Sequence, residues 1–258
     1  KVIMFFLYQI ILTIIILISP LIIIIRLFKN KEDKKRFLEK FCFFSKKRGT
    51  GKIIWFHGSS VGEILSIIPL IQNLEKNKSI NKILITSSTL SSSKIIKSFK
   101  FKKVIHQFYP IDHIIFVNRF LNYWKPSVAI FLESEIWPGM FKEIEKKKIS
   151  LILLNARITK KTFDRWSKIN SFSQSIFNKV SMAYPQNFET IFFLKKLKVK
   201  NINFIGNLKY IENEEKKDTL NIKLKKQFTK KKIWVASSTH HEEEIFCAKT
   251  HIQLKKEN

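Results

Sequence analysis

The sequence predicts an α/β chain: a parallel, doubly wound sheet that follows an apolar N-terminal helix. Three observations carry this. Short apolar runs rich in Ile, Val and Phe recur from Ile53 to Ile205. Most are separated by amphipathic stretches of helical length, and that alternation is the pattern of βαβ units. Residues 2–25, ahead of all of them, carry no charge.

The N-terminal stretch reads VIMFFLYQIILTIIILISPLIIII. At about 1.5 Å per helical residue it is longer than the ~30 Å hydrocarbon core of a bilayer. Arg26, Lys29, Lys31, Lys34, Lys35 and Arg36 follow it and only Lys1 precedes it. By the positive-inside rule, residues 1–28 are expected to be a membrane anchor with the bulk of the chain in the cytoplasm. A secretory signal peptide is the competing reading, but the apolar core is long and no small-residue cleavage site follows. Pro20 leaves a third arrangement, a helix that lies in one leaflet along the interface.

After a basic stretch to Lys52, strands are expected at Ile53–Phe56, Ile83–Thr86, Val104–Phe108, Val128–Leu132, Leu151–Leu154, Met182–Tyr184 and Ile202–Ile205. Helices are expected at Glu63–Lys76, Ser91–Phe99, Pro138–Lys147 and Asn187–Leu197. In the first of these, Leu65, Ile68, Leu70, Ile71 and Leu74 share one side. These elements make a domain spanning 29–210. Residues 211–231 are polar and rich in Lys and Glu, as in a linker. A new unit then opens with a strand at Ile233–Ala236, a loop at Ser237–His240 and a helix from Glu242. Twenty-odd residues cannot bury a core of their own. This unit either completes the first domain or begins a second one.

The chain has 258 residues, enough for one domain and most of another. With 45% hydrophobic residues, 6 Gly and 6 Pro, it is neither collagen-like nor wholly disordered. Two cysteines, Cys42 and Cys247, support neither a disulfide framework nor a Cys-rich metal site. Lys and Arg number 48 against 20 Asp and Glu, a net charge of +28. Such an excess suits an anionic partner, whether nucleic acid, anionic lipid or a phosphorylated substrate. It is also what compositional drift toward Ile, Lys, Asn and Phe in an AT-rich genome produces. No helix-turn-helix, zinc finger or RNA-binding aromatic motif is present, so no nucleic-acid partner is expected.

In an open α/β sheet, ligands bind beyond the carboxyl ends of the strands. The first strand ends in His57-Gly58-Ser59-Ser60-Val61-Gly62-Glu63. The two glycines allow a tight turn and leave room for a ligand. Glu63 falls at a helix start, where the partial positive charge favours carboxylate over acid. It reads equally as a general base and as the far end of a Ser60–Glu63 capping box. The fourth strand runs into Glu133-Ser134-Glu135-Ile136-Trp137-Pro138, and on an extended chain two acids at i and i+2 point the same way. The alternative is a pair of solvated loop acids. Arg157, after the fifth strand, suits a carboxylate or phosphate, or is an ordinary surface Arg. Lys209, after Gly206-Asn207-Leu208, suits developing negative charge, in a chain where most lysines are solvated. Ser238, Thr239 and His240 form a polar strand-to-helix loop of the phosphate-cradling kind, without its glycines. The six His residues show no metal-ligand spacing, and neither GxGxxG nor a P-loop occurs, so neither a metal nor a cofactor is expected.

Taken together, HGSSVGE, YPID, RFLNYWKPSVAIFLESEIWP, NARIT, GNLK and SSTHHEEE occur in the order seen in the Kdo transferases, the 3-deoxy-D-manno-octulosonic acid transferases of lipopolysaccharide synthesis. The resemblance covers nearly the whole chain. It implies the GT-B glycosyltransferase architecture, two Rossmann-like domains facing across a cleft. The N-terminal domain would take the lipid A precursor and the C-terminal one CMP-Kdo. It also implies that Glu63 accepts the proton of the acceptor hydroxyl, while Glu133 and Lys209 assist the transition state. Ser60, Gly62, Glu135, Arg157, Ser238, Thr239 and His240 are the expected substrate contacts. The family usually writes S-T-H-E-G-E-E where this chain has Ser238-Thr239-His240-His241-Glu242-Glu243-Glu244, so that loop departs from the pattern. On this resemblance the chain carries the acceptor domain and, over 211–258, a linker and the start of the nucleotide-sugar domain. The rival expectation is a non-catalytic, membrane-anchored lipid A-binding remnant.

Overall fold

The computed structural model describes residues 2–210 and 233–256. The chain divides into two compact units, Lys1–Glu212 and Asn213–Asn258. The expected linker at 211–231 lies outside the described residues.

Helix α1 spans Val2–Phe28 and is long and apolar enough to cross a membrane. Pro20 has no N–H for the Ile16 carbonyl one turn back; the Ser19 hydroxyl donates to that oxygen instead, at 2.7 Å, so the helix continues. One side of α1 leans on the sheet domain. The Tyr8 hydroxyl donates to Asp112 Oδ2 at 2.7 Å, Gln9 Oε1 accepts from the Ile114 N–H at 3.0 Å, and Lys142 Nζ sits 3.7 Å over the Phe5 ring. Most of its other large side chains are exposed.

Six parallel strands follow: β1 Ile53–His57, β2 Lys82–Ser87, β3 Val104–Phe108, β4 Val128–Leu132, β5 Ser150–Ala156 and β6 Met182–Pro185. Their order in the sheet is β3-β2-β1-β4-β5-β6. Helices α2 (Val61–Lys76), α3 (Leu90–Ser98), α4 (Ile114–Trp124), α5 (Pro138–Lys146), α6 (Lys160–Ser167), α7 (Asn170–Phe177) and α8 (Phe188–Lys196) connect or follow them. The strands are apolar along their length because both faces are covered. Trp55 and Phe56 illustrate it: neighbours in sequence, they point to opposite faces. Trp55 joins Phe131, Leu153, Phe120 and Phe141 in one core. Phe56 joins Ile85, Leu132 and the α2 residues Ile64, Ile67 and Ile71 in the other. Each such fully buried side chain contributes about 1.5–3 kcal/mol.

Two expected strands do not form. At Ile202–Ile205, Ile202 makes an isolated parallel bridge to Ala183, after which Phe204 and Ile205 are exposed and Gly206 turns with φ +85°. Residues 233–239 carry no regular structure, and Ile233, Trp234 and Val235 are exposed. In that unit the described helix is Glu243–Lys256. Apolar composition makes a strand only where a neighbouring edge completes its hydrogen bonds.

Candidate functional site

The strand order reverses between β1 and β4, so the loops leaving these two strands lie side by side. This is the switch point at which doubly wound sheets bind ligands. The β1 loop brings Glu63 and the β4 loop brings Glu133 and Glu135.

Glu63 occupies the first turn of α2. Its Oε2 accepts the Ser59 N–H at 2.7 Å and its Oε1 the Ser60 hydroxyl at 2.9 Å, while Ser60 Oγ caps the helix by accepting the Glu63 N–H at 3.2 Å. Capping and a position in the crevice therefore coincide. Gly58, not Gly62, makes the close approach: a Cβ there would meet Leu132 Cδ1 at 2.8 Å and Glu63 Oε2 at 3.3 Å. Gly62 lies within the helix, and nothing stands within 4 Å of where its Cβ would be.

The two acids after β4 do not lie on extended chain, contrary to the i, i+2 expectation. Glu133 turns with φ +49°, its N–H bonded to the Leu154 carbonyl and its carbonyl to the Arg157 N–H. The turn sends the two carboxylates to different partners. Glu133 Oε1 pairs with Lys209 Nζ at 2.7 Å, though it receives no hydrogen bond. Asn155, buried at the end of β5 with φ +53°, accepts the Leu208 N–H at 3.1 Å and so fixes the turn that carries Lys209.

Glu135 Oε2 accepts from His57 Nε2 at 3.1 Å and from the Trp137 indole N–H at 2.9 Å. The His57 ring is fully buried and stacked on Tyr109 at 3.8 Å, and its Nδ1 lies 3.0 Å from Thr86 Oγ1. Thr86 Oγ1 in turn accepts the Trp55 indole N–H at 2.9 Å.

Electrostatics then separate the carboxylates. Burial raises the proton affinity of Glu63, and the charges of Glu135 and Glu133 add to this; the Ser60 and Ser59 donors oppose it and lose. The expected preference of a helix start for the carboxylate is thus overridden. Burial also acts upward on Glu135, but the hydrogen bond and charge of His57, with Trp137 and the Ser59 hydroxyl, outweigh it and hold Glu135 below the ordinary carboxylate range. The two acids are thus pushed in opposite directions, Glu63 toward the protonated form and Glu135 toward the charged one.

Behind this layer, Asp112 caps α5 from the β3–α4 loop. It accepts the Gly139 and Met140 N–H groups at 2.7 Å each, and the Tyr8 hydroxyl. Burial pushes its carboxyl up to about 7 against those three donors. Gly139 is obligatory here, since a Cβ would lie 2.3 Å from the Asp112 carbonyl oxygen.

The remaining expected residues stand apart from these pairings. Arg157 is exposed one residue beyond β5, and among the described residues no carboxylate pairs with it. Ser238, Thr239 and His240 belong to the other unit. There the His240 N–H donates to Glu243 Oε2 at 2.7 Å and the Thr239 hydroxyl to Glu244 Oε1 at 3.4 Å, so the loop is capped by its own acids. Among the described residues no group of three His, Cys, Asp or Glu side chains is placed to hold a metal ion. His57, Asn155 and Asp112 were not legible as site residues from spacing. The signal for His57 was its place as the last residue of a strand, which matters only once β1 is known to neighbour β4.

The family model for 3-deoxy-D-manno-octulosonic-acid transferase (kdotransferase) matches residues 35–212, a span that holds all three glutamates and Lys209. The chain belongs to this family. The 3-deoxy-D-manno-octulosonic acid transferase of Rickettsia bellii is 36% identical over 241 residues, covering 92% of this chain and 56% of that protein. A probable mitochondrial 3-deoxy-D-manno-octulosonic acid transferase of Arabidopsis thaliana is 35% identical, with the same coverage of 92% and 56%. The Haemophilus influenzae transferase is 26% identical over 88% of this chain and 54% of its own length. The chain thus spans a little over half the length of these three relatives.

Proposed function

We propose that this chain supplies the acceptor half of a glycosyltransferase that moves Kdo from CMP-Kdo to a lipid A precursor, lipid IVA, in lipopolysaccharide synthesis. The observation that supports this reading is the group of three carboxylates and one ammonium at the β1/β4 switch point. Glu63 has the raised proton affinity that suits a general base, and it takes the proton of the acceptor hydroxyl as the glycosidic bond forms. Lys209, held by Glu133, offers its ammonium to the departing CMP phosphate. Ser60, Gly62, Glu135 and Arg157 line the acceptor side. Ser238, Thr239 and His240 would contact the donor from the second domain.

Helix α1 is the anchor in this reading. The basic flank argues for a cytoplasmic domain at the inner membrane. The contacts of Phe5, Tyr8 and Gln9 with the sheet domain favour a helix lying along the membrane face over one standing upright in it.

The test is turnover of CMP-Kdo with lipid A precursor, comparing the parent protein with Glu63→Gln. Transfer by the parent and none by the variant supports the assignment. Acceptor binding without any transfer, in protein that carries a complete donor half, turns the reading to the binding remnant.

A further inference from the structure

His57 is a buried imidazole that the acceptor cannot touch, yet it meets a site carboxylate. We propose that His57 is a positioning residue, whose Nε2–H holds the Glu135 carboxylate in one orientation beside Glu63, and that this held neighbour is what makes Glu63 an effective base. The proposal rests on Glu63 being the base, as argued above.

The geometry leaves the ring one way to act. It is clamped between Tyr109, stacked at 3.8 Å with the planes 22° apart, and Phe131, edge-on at 5.2 Å, with Trp137 at 6.2 Å. A ring held like this cannot swing toward a substrate. Its Nε2 faces a carboxylate oxygen, which can only accept, so that nitrogen carries the proton. Nδ1 is tied to Thr86, which the Trp55 indole N–H orients from behind. The line Trp55–Thr86–His57–Glu135 runs from the core to the crevice, with each member set by the one before. Glu135 Oε2 receives a second donor from Trp137, and the Ser59 hydroxyl adds a third interaction with the carboxyl group. Ser59 also donates its N–H to Glu63, so one residue bridges the two acids.

Among the described residues, every charged or titratable group that faces Glu135 fits this account. From the β1–α2 segment these are His57 and Glu63. From its own turn there is Glu133, already paired with Lys209. From the loop after β3 there is Tyr109, whose buried phenol also feels the Glu135 charge. Only Glu63 is left without a cation or a ring donor, so it is the acid on which the crowding of negative charge falls.

The test uses protein that carries both halves of the family's fold, with CMP-Kdo and lipid A precursor, and reads kcat and KM against pH. His57→Leu removes the donor and keeps the bulk. It should lower kcat about 10²-fold, the loss typical of a misplaced catalytic group, with KM for the acceptor little changed. Glu135 then ionises less readily, so less negative charge faces Glu63, and the acid limb moves to lower pH and broadens. His57→Gln puts an amide N–H near the Nε2 position and should return the limb toward that of the parent. Mere support of the fold would leave the limb in place while lowering the amount of active protein. A folded His57→Leu protein whose acid limb coincides with the parent's overturns the proposal. Should His57→Leu not fold, Trp137→Phe removes the other N–H on the same oxygen and should move the limb in the same direction by less; no movement there overturns the proposal too. Near-parent turnover by Glu63→Gln instead removes the base itself, whatever His57 does.

Discussion

Lys209 and Glu133 meet at 2.7 Å across the mouth of the sheet, one from the turn beyond β6 and the other from a left-handed turn after β4. Glu133 is buried and Lys209 half-exposed, so the pair presents its positive end to the crevice. Residues that act as a unit are non-additive when removed. Lys209→Met should lower kcat by about 10²–10³, the usual loss for one transition-state donor. Glu133→Gln added to it should cost little more. Two losses that simply multiply would show that the residues act separately.

The raised proton affinity of Glu63 sets the acid side of the pH profile. Its folded-state value lies above the ordinary 4.5, so the base is still protonated at a pH where a solvated glutamate is ionised. Transfer should fall as pH drops through that raised value, and Glu63→Gln should lose about 10²–10⁴ in rate above it, with the gap to the parent closing below it. A pH–rate profile that stays flat down to 4.5 contradicts this assignment.

Asp112 should leave a mark on stability. Its folded value is about 7 against 3.8 in the unfolded chain, so the native state holds a proton that the unfolded state has released. The stabilisation from that proton is complete below 3.8 and is lost as pH rises to about 7. Buried His106, pushed down to about 3, works with the opposite sign, so the comparison must be with Asp112→Asn and not with an absolute curve. As pH rises through that window, Asp112→Asn should gain in Tm relative to the parent. A gap independent of pH would show Asp112 to be ionised throughout.

The anchor predicts a topology. On the proposed cytoplasmic placement, with α1 spanning the bilayer or lying on its inner face, protease added outside spheroplasts should leave the sheet domain intact. Cleavage from outside reverses the orientation.

Much of the fold was legible because strands covered on both faces are mostly apolar, and each of β1 to β6 has an apolar run, with the polar residues of β1, β3 and β5 gathered mainly toward their carboxyl ends. The failures share one cause. Ile202–Ile205 and Ile233–Ala236 are as apolar as the strands that form, but a strand also needs a partner, and composition does not say where one lies. Periodicity likewise does not single out α6, whose residues include no buried one. At the site, the residues alone marked Glu63 and Glu133 as charges at expected strand ends, while Lys209 stood out from the many lysines only through the family resemblance. Their grouping was not legible, since it depends on β1 lying beside β4 and on a positive φ at Glu133 that no residue type announces. His57 looked like an ordinary strand residue for the same reason: its partner, Glu135, comes from a different strand.

The Tyr8–Asp112 bond bears on how the protein is handled. Trimming at residue 28 to gain solubility takes a hydroxyl off a buried carboxyl and a side-chain acceptor off the Ile114 N–H. Asp112 is also what caps α5, and the turn bearing Glu133 and Glu135 leads directly into that helix. A trimmed preparation that dissolves well but does nothing would therefore report a loosened joint, and would be a poor argument that lipid is needed for catalysis. Detergent exchange on the untrimmed chain keeps the joint and asks the lipid question cleanly.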